Sequence, residues 1–299
     1  MGCFEDGTCS GLHNGLTTCE GCPMELAARA MLEVLGPNTI VITPPSCSAI
    51  LTGYGRQTGW KIPSFQSNLE AVAAYASGMS EGLKMLGKDG INVVGFAGDG
   101  GTVDIGLQAL SGAIERGHRF IYICYDNEAY MNTGIQRSGA TPYMARTKTT
   151  PAGKGEKAKD IDTMLLMQGL AYQATASVGY IDDFKSKVKK ASKCGGPSFI
   201  HVHTPCATGW RFMPKDTISI SRLAVKSGLW LLWENGYEGF RVNIKPSDFE
   251  AAKEYTMLQG RFKGLSGEET DAIIASARNK YAELLELGKL FSGISSQEN

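Results

Sequence analysis

Apolar residues along the chain follow two periods. Short β-rich runs, Ile40 to Thr43, Ile91 to Ala97, Phe120 to Tyr125 and Ser198 to His203, are bounded by Gly, Pro or Asp, which is the pattern of buried parallel strands. Between them, apolar residues recur at three- and four-residue steps. The clearest case, Leu69, Val72, Ala76, Met79, Leu83 and Leu86, predicts a helix with one buried face. Strand and helix in alternation imply an α/β fold: a mainly parallel central sheet with helices on both faces and ligands at the carboxyl ends of the strands. No domain boundary stands out, so residues 1–299 read as a single domain. Residues 1–17 read as an N-terminal extension, and about 240–299 as a helical tail packed on the domain or on a partner. The Gly- and Lys-rich stretch 149–160 predicts an exposed loop.

Composition narrows the function classes. Thirty Lys+Arg balance thirty Asp+Glu, which argues against a nucleic-acid arm and a polybasic membrane patch. No apolar run approaches the roughly 18 residues of a membrane span. The start, MGCFEDGTCS, has neither a basic leader nor an apolar core, so the expected location is the reducing cytoplasm. Eight cysteines are too sparse for a small disulfide scaffold, and thiolates that ligate a metal are the better use of them. The 37 glycines, about 12% of the chain against a usual 7% or so, let many backbones approach something closely.

Candidate chemistry sits at predicted strand ends. After Ile91 to Ala97 comes Gly98-Asp99-Gly100-Gly101, then a helix start, where backbone N–H groups converge on an anion. Asp99 beside phosphate oxygens points to a bridging hard cation such as Mg²⁺. The strand ending Tyr125-Asp126-Asn127-Glu128-Ala129 offers a second oxygen donor at Asn127, 27 residues beyond Gly100. By spacing alone, a tight turn explains GDGG equally well. Cys19 and Cys22 form a CxxC pair, with Cys47 and Cys206 distant in sequence; four thiolates suit Zn²⁺ or an iron–sulfur cluster, and spacing does not choose. Cys124, inside a strand, and Cys194, beside a Gly-Gly turn, read as small structural residues, while Cys3 and Cys9 have no assigned role. His201 and His203 alternate on one strand and read as core or surface imidazoles rather than ligands. Lys185 to Lys193 read as a solvated helix face.

The stretch GDGGTVDIGLQALSGAIERGHRFIYICYDNEAYMNTGIQRSGATPY resembles the β subunit of 2-oxoacid:ferredoxin oxidoreductases, the pyruvate synthase family, and the likeness runs from about Thr18 to near Arg261. The resemblance implies a thiamine diphosphate-binding fold. It implies Mg²⁺ held by Asp99, Asn127 and the Ala129 carbonyl, with Gly98, Gly100, Gly101, Cys47, Asn132 and Thr133 around the cofactor. It also implies a [4Fe–4S] cluster on Cys19, Cys22, Cys47 and Cys206, and Asn132 as a catalytic amide beside the substrate carboxyl. The implied reaction is coenzyme A-dependent oxidative decarboxylation of a 2-oxoacid, with electrons passed to ferredoxin or a similar acceptor. Implied partners are a pyrimidine-binding α subunit, a γ subunit and a ferredoxin-like δ subunit, with no nucleic acid and no membrane insertion. A non-oxidative thiamine decarboxylase or synthase subunit, or a non-catalytic iron–sulfur electron-transfer subunit, are the alternatives. The chain departs from the family pattern at Pro45-Ser46-Cys47, where TGC is usual, at Leu69 to Ala74 (FENAAA), and at Tyr143 to Arg146 (YGAW). The implied substrate is pyruvate, or a branched or aryl 2-oxoacid such as phenylglyoxylate, which these departures would suit.

Overall fold

A computed structural model of the chain describes residues 10–294. Its strands are β1 (Thr39–Thr43), β2 (Ser64–Gln66), β3 (Asn92–Gly98), β4 (Ile121–Asp126), β5 (Tyr172–Ser177), β6 (Ser198–His203), β7 (Leu232–Gly236) and β8 (Gly239–Ile244). Its helices are α1 (Pro23–Leu35), α2 (Ala49–Thr52), α3 (Val72–Met85), α4 (Leu107–Glu115), α5 (Ile161–Leu166), α6 (Ile181–Lys193), α7 (Ala207–Trp210), α8 (Thr217–Lys226), α9 (Ala251–Met257) and α10 (Gly267–Ile294). The eight strands form one sheet in the order β2-β1-β3-β4-β6-β5-β7-β8. The pairings from β2 through β5 are parallel, while β7 and β8 join antiparallel.

Both faces of the parallel part are covered, which is why its strands read as apolar runs. Along β4, Ile121, Ile123 and Tyr125 point into one core with Met31 of α1 and Phe184 and Val188 of α6. Tyr122 and Cys124 point into the other, with Val72 and Ala76 of α3, Leu110 and Ile114 of α4 and Leu165 of α5. Each such fully buried large aliphatic side chain contributes roughly 1.5–3 kcal/mol of burial free energy. Among the described residues, no helix is long and apolar enough to cross a membrane.

Several expectations need correction. The helix expected to run to Leu86 ends at Met85, and Leu86, at its C-cap, is exposed. The tail is not helical from 240: residues 239–244 form β8, which hairpins with β7 and extends the sheet. Strand β5 has no apolar signature because it buries polar side chains whose donors are met by backbone carbonyls, although Gln173 Oε1 is left without a partner. Gln173 donates to the Asp162 carbonyl at 2.7 Å and Thr175 to the Leu231 carbonyl at 2.6 Å. The stretch 149–160 is mostly exposed, but Lys154 is buried and donates to the Thr141 carbonyl at 2.6 Å. Within the basic run on α6, Lys187 is buried against the Thr175 carbonyl and Asp183, so that face is only partly solvated. Cys3, Cys9 and most of the expected extension lie outside the described residues. Leu12 does pack in the core and bridges to Trp60.

Candidate functional site

Four neighbouring parallel strands, β1, β3, β4 and β6, deliver every candidate group to one end of the sheet. Beyond β1 comes the Cys47 turn; β3 ends in Gly98-Asp99; β4 ends at Asp126, followed by Asn127; β6 runs into Cys206. Cys22 caps the start of α1 on the same side. Chain order scatters these groups over nearly 190 residues, and sheet order makes them adjacent.

Asp99 is buried, and burial pushes its carboxyl well above the usual carboxylate range, with the nearby Asp126 adding to the effect. Only the Ser138 hydroxyl and a backbone N–H oppose that shift; among the described residues no Lys, Arg or His pairs with Asp99. The strand tip beside it is pinned at three successive carbonyls. Asp126 O accepts from Thr204 N at 2.8 Å, Asn127 O from Trp210 Nε1 at 2.8 Å, and Glu128 O from Thr141 Oγ1 at 2.6 Å. Asn127 Oδ1 is buried with no hydrogen-bond partner. An orphaned amide oxygen beside an uncompensated carboxylate is a costly arrangement for a protein alone and the right donor set for a hard divalent cation. Ala129 is also buried at this tip, whereas Asn132 and Thr133 lie exposed on the turn that follows.

The Gly98–Gly101 turn is built for close approach. A Cβ on Gly100 would stand 2.4 Å from the Tyr130 ring, which covers it and donates to the Gly100 carbonyl at 3.3 Å. Residues 100–104 make one wide π-type turn before α4, a distortion common at functional sites.

The four cysteines of the sequence pattern lie within electrostatic reach of one another. Burial pushes the Cys47 thiol up to about 12, with Cys206, Cys22, Cys19 and Asp99 all adding repulsion. Burial likewise raises Cys22 to about 11, with Cys206 and Cys19 adding to it. Cys206 is raised by burial against a backbone N–H from Gly209 to its sulfur at 3.4 Å. As thiolates the four would repel strongly in this half-buried setting, so only a bound cationic centre makes that state favourable. Among the described residues, no three His, Cys, Asp or Glu side chains converge tightly enough to hold a single ion. Cys124 is buried within β4, and Cys194 is half-buried at the end of α6.

The sequence pattern missed the residues that hold the strand tip in place. Glu128 takes a left-handed backbone, φ 62°, and its carboxylate stands 2.5 Å from Arg261, which is buried and lies 3.5 Å above the Trp210 ring. Burial drives Glu128 upward and Arg261 only partly offsets it. His201 is clamped between Asp126 at 2.9 Å and Asp162 at 3.0 Å. Burial alone would lower its imidazole, but the two carboxylates hold it well above the ordinary value. His203 instead stacks on Trp230 and is kept neutral by burial and by Arg261. Both histidines are therefore structural, as expected. The only sequence signal for the clamp was the charge bracketing Asn127 and the isolated arginine near position 261.

Comparison with known proteins agrees with this arrangement. Residues 49–202 match the family described as thiamine pyrophosphate enzyme, C-terminal TPP binding domain. Cys47 and Cys206 lie just outside that segment, and Cys19 and Cys22 lie well before it. The chain is 49% identical to pyruvate synthase subunit PorB of Methanothermobacter thermautotrophicus, over 86% of this chain and 90% of that one. It is 44% identical to ketoisovalerate oxidoreductase subunit VorB of Pyrococcus horikoshii, over 93% of both. It is 38% identical to the beta subunit of NADH-dependent phenylglyoxylate dehydrogenase of Aromatoleum evansii, over 87% of this chain and 60% of that one. In fold it is similar to the 2-oxoglutarate:ferredoxin oxidoreductase from Magnetococcus marinus, with TM-score 0.58 over 73% of this chain and 81% of that chain, at 18% identity. With a thiamine domain and full-length relatives of this kind, the chain belongs to the thiamine diphosphate-binding β subunits of the 2-oxoacid:ferredoxin oxidoreductases.

Proposed function

We propose that this subunit, with its partner subunits, carries out coenzyme A-dependent oxidative decarboxylation of a 2-oxoacid, and that Asp99, Asn127 Oδ1 and the Ala129 carbonyl hold Mg²⁺ on the cofactor diphosphate. The observation that carries this reading is the buried, partnerless Asn127 Oδ1 on the strand next to a buried Asp99 that has no cation. When bound, thiamine diphosphate supplies the carbon nucleophile and the electron sink, and a [4Fe–4S] cluster supplies a one-electron acceptor. The backbone of Gly98, Gly100 and Gly101 lies against the diphosphate. Asn132 and Thr133 sit at the exposed rim, where the Asn132 amide can orient the oxoacid carboxyl and donate to developing negative charge.

Cys19, Cys22, Cys47 and Cys206 are the cluster ligands. Their mutual electrostatic reach supports a shared four-thiolate site, and the resemblance to the family favours a [4Fe–4S] cluster over zinc there. Cys47 is also within electrostatic reach of Asp99, which brings the electron acceptor close to the thiamine site. A pyrimidine-binding α subunit completes the cofactor site. A γ subunit and a ferredoxin-like δ subunit complete the coenzyme A and electron paths, and the location is the cytoplasm. The departures at Ser46, at Leu69 to Ala74 and at Tyr143 to Arg146 favour a branched or aryl oxoacid over pyruvate.

The test is anaerobic. The complex is purified, its iron, Mg²⁺ and thiamine diphosphate are measured, and viologen reduction is followed with coenzyme A and pyruvate, 2-oxoisovalerate or phenylglyoxylate in turn. Asp99→Ala should lose Mg²⁺ and thiamine diphosphate, and Cys47→Ser should lose the cluster signal. Retention of both cofactors in these variants would reject the residue assignments, and iron-free wild-type enzyme that releases aldehyde would reject the oxidative reading.

A further inference from the structure

One phenol ties down the residues on both sides of Cys47. Tyr125, buried near the end of β4, lies 2.7 Å from Ser46 Oγ, accepts from the Ser48 N–H at 3.1 Å and donates to Ser48 Oγ at 3.0 Å. Ser48 Oγ donates in turn to the Phe96 carbonyl of β3 at 3.4 Å. With the Tyr125 proton directed at Ser48, the Ser46 hydroxyl can donate to the phenol oxygen at 2.7 Å, the shorter of its two choices, the other being the Pro44 carbonyl at 3.2 Å. The chain then runs from Ser46 through Tyr125 and Ser48 to β3, and each donor polarises the next. The two serine oxygens are also 3.0 Å apart.

The ring itself has little freedom. Its centroid is 4.8 Å from that of Phe96, and a Cβ on Gly98 would already stand 3.1 Å from it. Thus the Cys47 turn is fastened to β3 and β4, the two strands whose tips carry Asp99 and Asn127. Ser46 stands where the family pattern has glycine, so the first link of this chain is a feature of this sequence.

We propose that Tyr125 is a positioning residue: through the Ser46 and Ser48 hydroxyls it fixes Cys47 relative to the thiamine site and thereby sets the reduction potential of the cluster. This rests on the reading of Cys47 as a cluster ligand. Cluster potentials respond to ligand orientation and to polar groups around the sulfurs. Removing the Tyr125 or the Ser46 hydroxyl frees the Cys47 turn and changes the orientation and polar surroundings of its sulfur, so the potential shifts.

The experiment is a potentiometric EPR titration of the assembled complex, with this chain's signal identified by its loss in Cys47→Ser. Tyr125→Phe should retain iron and bind thiamine diphosphate within twofold of wild type. Its reduced-to-oxidised cluster ratio at a fixed potential should change about tenfold, equivalent to ~59 mV for one electron. Ser46→Ala should shift in the same direction, and Ser46→Thr, which keeps the hydroxyl, should stay within twofold of wild type. Should Tyr125→Phe lose its iron, Ser46→Ala measures the same link. A ratio within twofold of wild type in an iron-loaded Tyr125→Phe or Ser46→Ala complex overturns the role of Tyr125. A signal that survives Cys47→Ser overturns the Cys47 reading itself.

Discussion

Replacing Arg261 with Met tests whether the clamp on the cofactor tip is a stability element. The guanidinium is 3% exposed, stands 2.5 Å from Glu128, donates from Nε to Gln259 Oε1 at 2.8 Å and stacks on Trp210 at 3.5 Å. Methionine keeps most of the apolar contact and deletes the charge, which strands Glu128 in a buried site. Removing one partner of such a pair costs about 3–5 kcal/mol. With an unfolding entropy near 2.1 cal/mol/K per residue, 299 residues give about 0.6 kcal/mol/K, so the melting temperature should fall by about 5–8 °C. The sign with pH follows from Glu128. Without Arg261 its folded-state pKa rises further above the unfolded value, so the stability deficit is small at low pH and grows as pH rises through the folded value. Urea unfolding followed by tryptophan fluorescence at acid and neutral pH measures both effects. The double variant Glu128→Gln, Arg261→Met should recover more than half of the loss, since it removes the stranded charge. A single variant within about 1 kcal/mol of wild type, or a double variant no better than the single, would refute the clamp.

Three further outcomes follow from the same chemistry. Asp99→Asn should leave the cofactor-free chain at least as stable as wild type at neutral pH, because it removes a buried charge with no cation, while Mg²⁺ and thiamine diphosphate retention are lost; thermal melts and cofactor analysis of one preparation check both. His201→Gln should remove a stabilisation that is full below about pH 6.5 and is lost as pH rises through the raised folded value, so wild type and variant should converge at alkaline pH in unfolding titrations. Glu234 is held down to about 2 by Tyr172, Lys190, Asn243 and Arg241 against the cost of its burial. Its stabilisation is present above about pH 4.3 and is lost as pH falls toward 2, so acid titration of Glu234→Gln should show a weaker dependence across that window.

The sequence by itself determined the α/β class, the four apolar strands, the GDGG turn with its Asn127 partner, and the four thiols. Each is set by local chemistry: an apolar run that must be buried on both faces, a glycine turn at a helix start, residue types that bind cations or metals. Tertiary structure decided what those signals could not contain. Strand β5 has little apolar pattern, because the donors of Gln173 and Thr175 are met inside the fold, by the Asp162 carbonyl and by the distant Leu231 carbonyl. Leu86 follows the helical period yet is exposed, because α3 ends one residue before it. Lys154 and Lys187 look solvated in sequence and are buried, because the backbone carbonyls that accept from them come together only on folding. Arg261 reaches Glu128 across more than 130 residues of chain, and Cys206 meets Cys19 and Cys22 only because β6 runs beside β4 with α1 starting at the same end. Residue type and spacing fix which chemistry a chain can perform; sheet order fixes which of those groups meet, since long-range pairing depends on which strands become neighbours and leaves no period in the sequence.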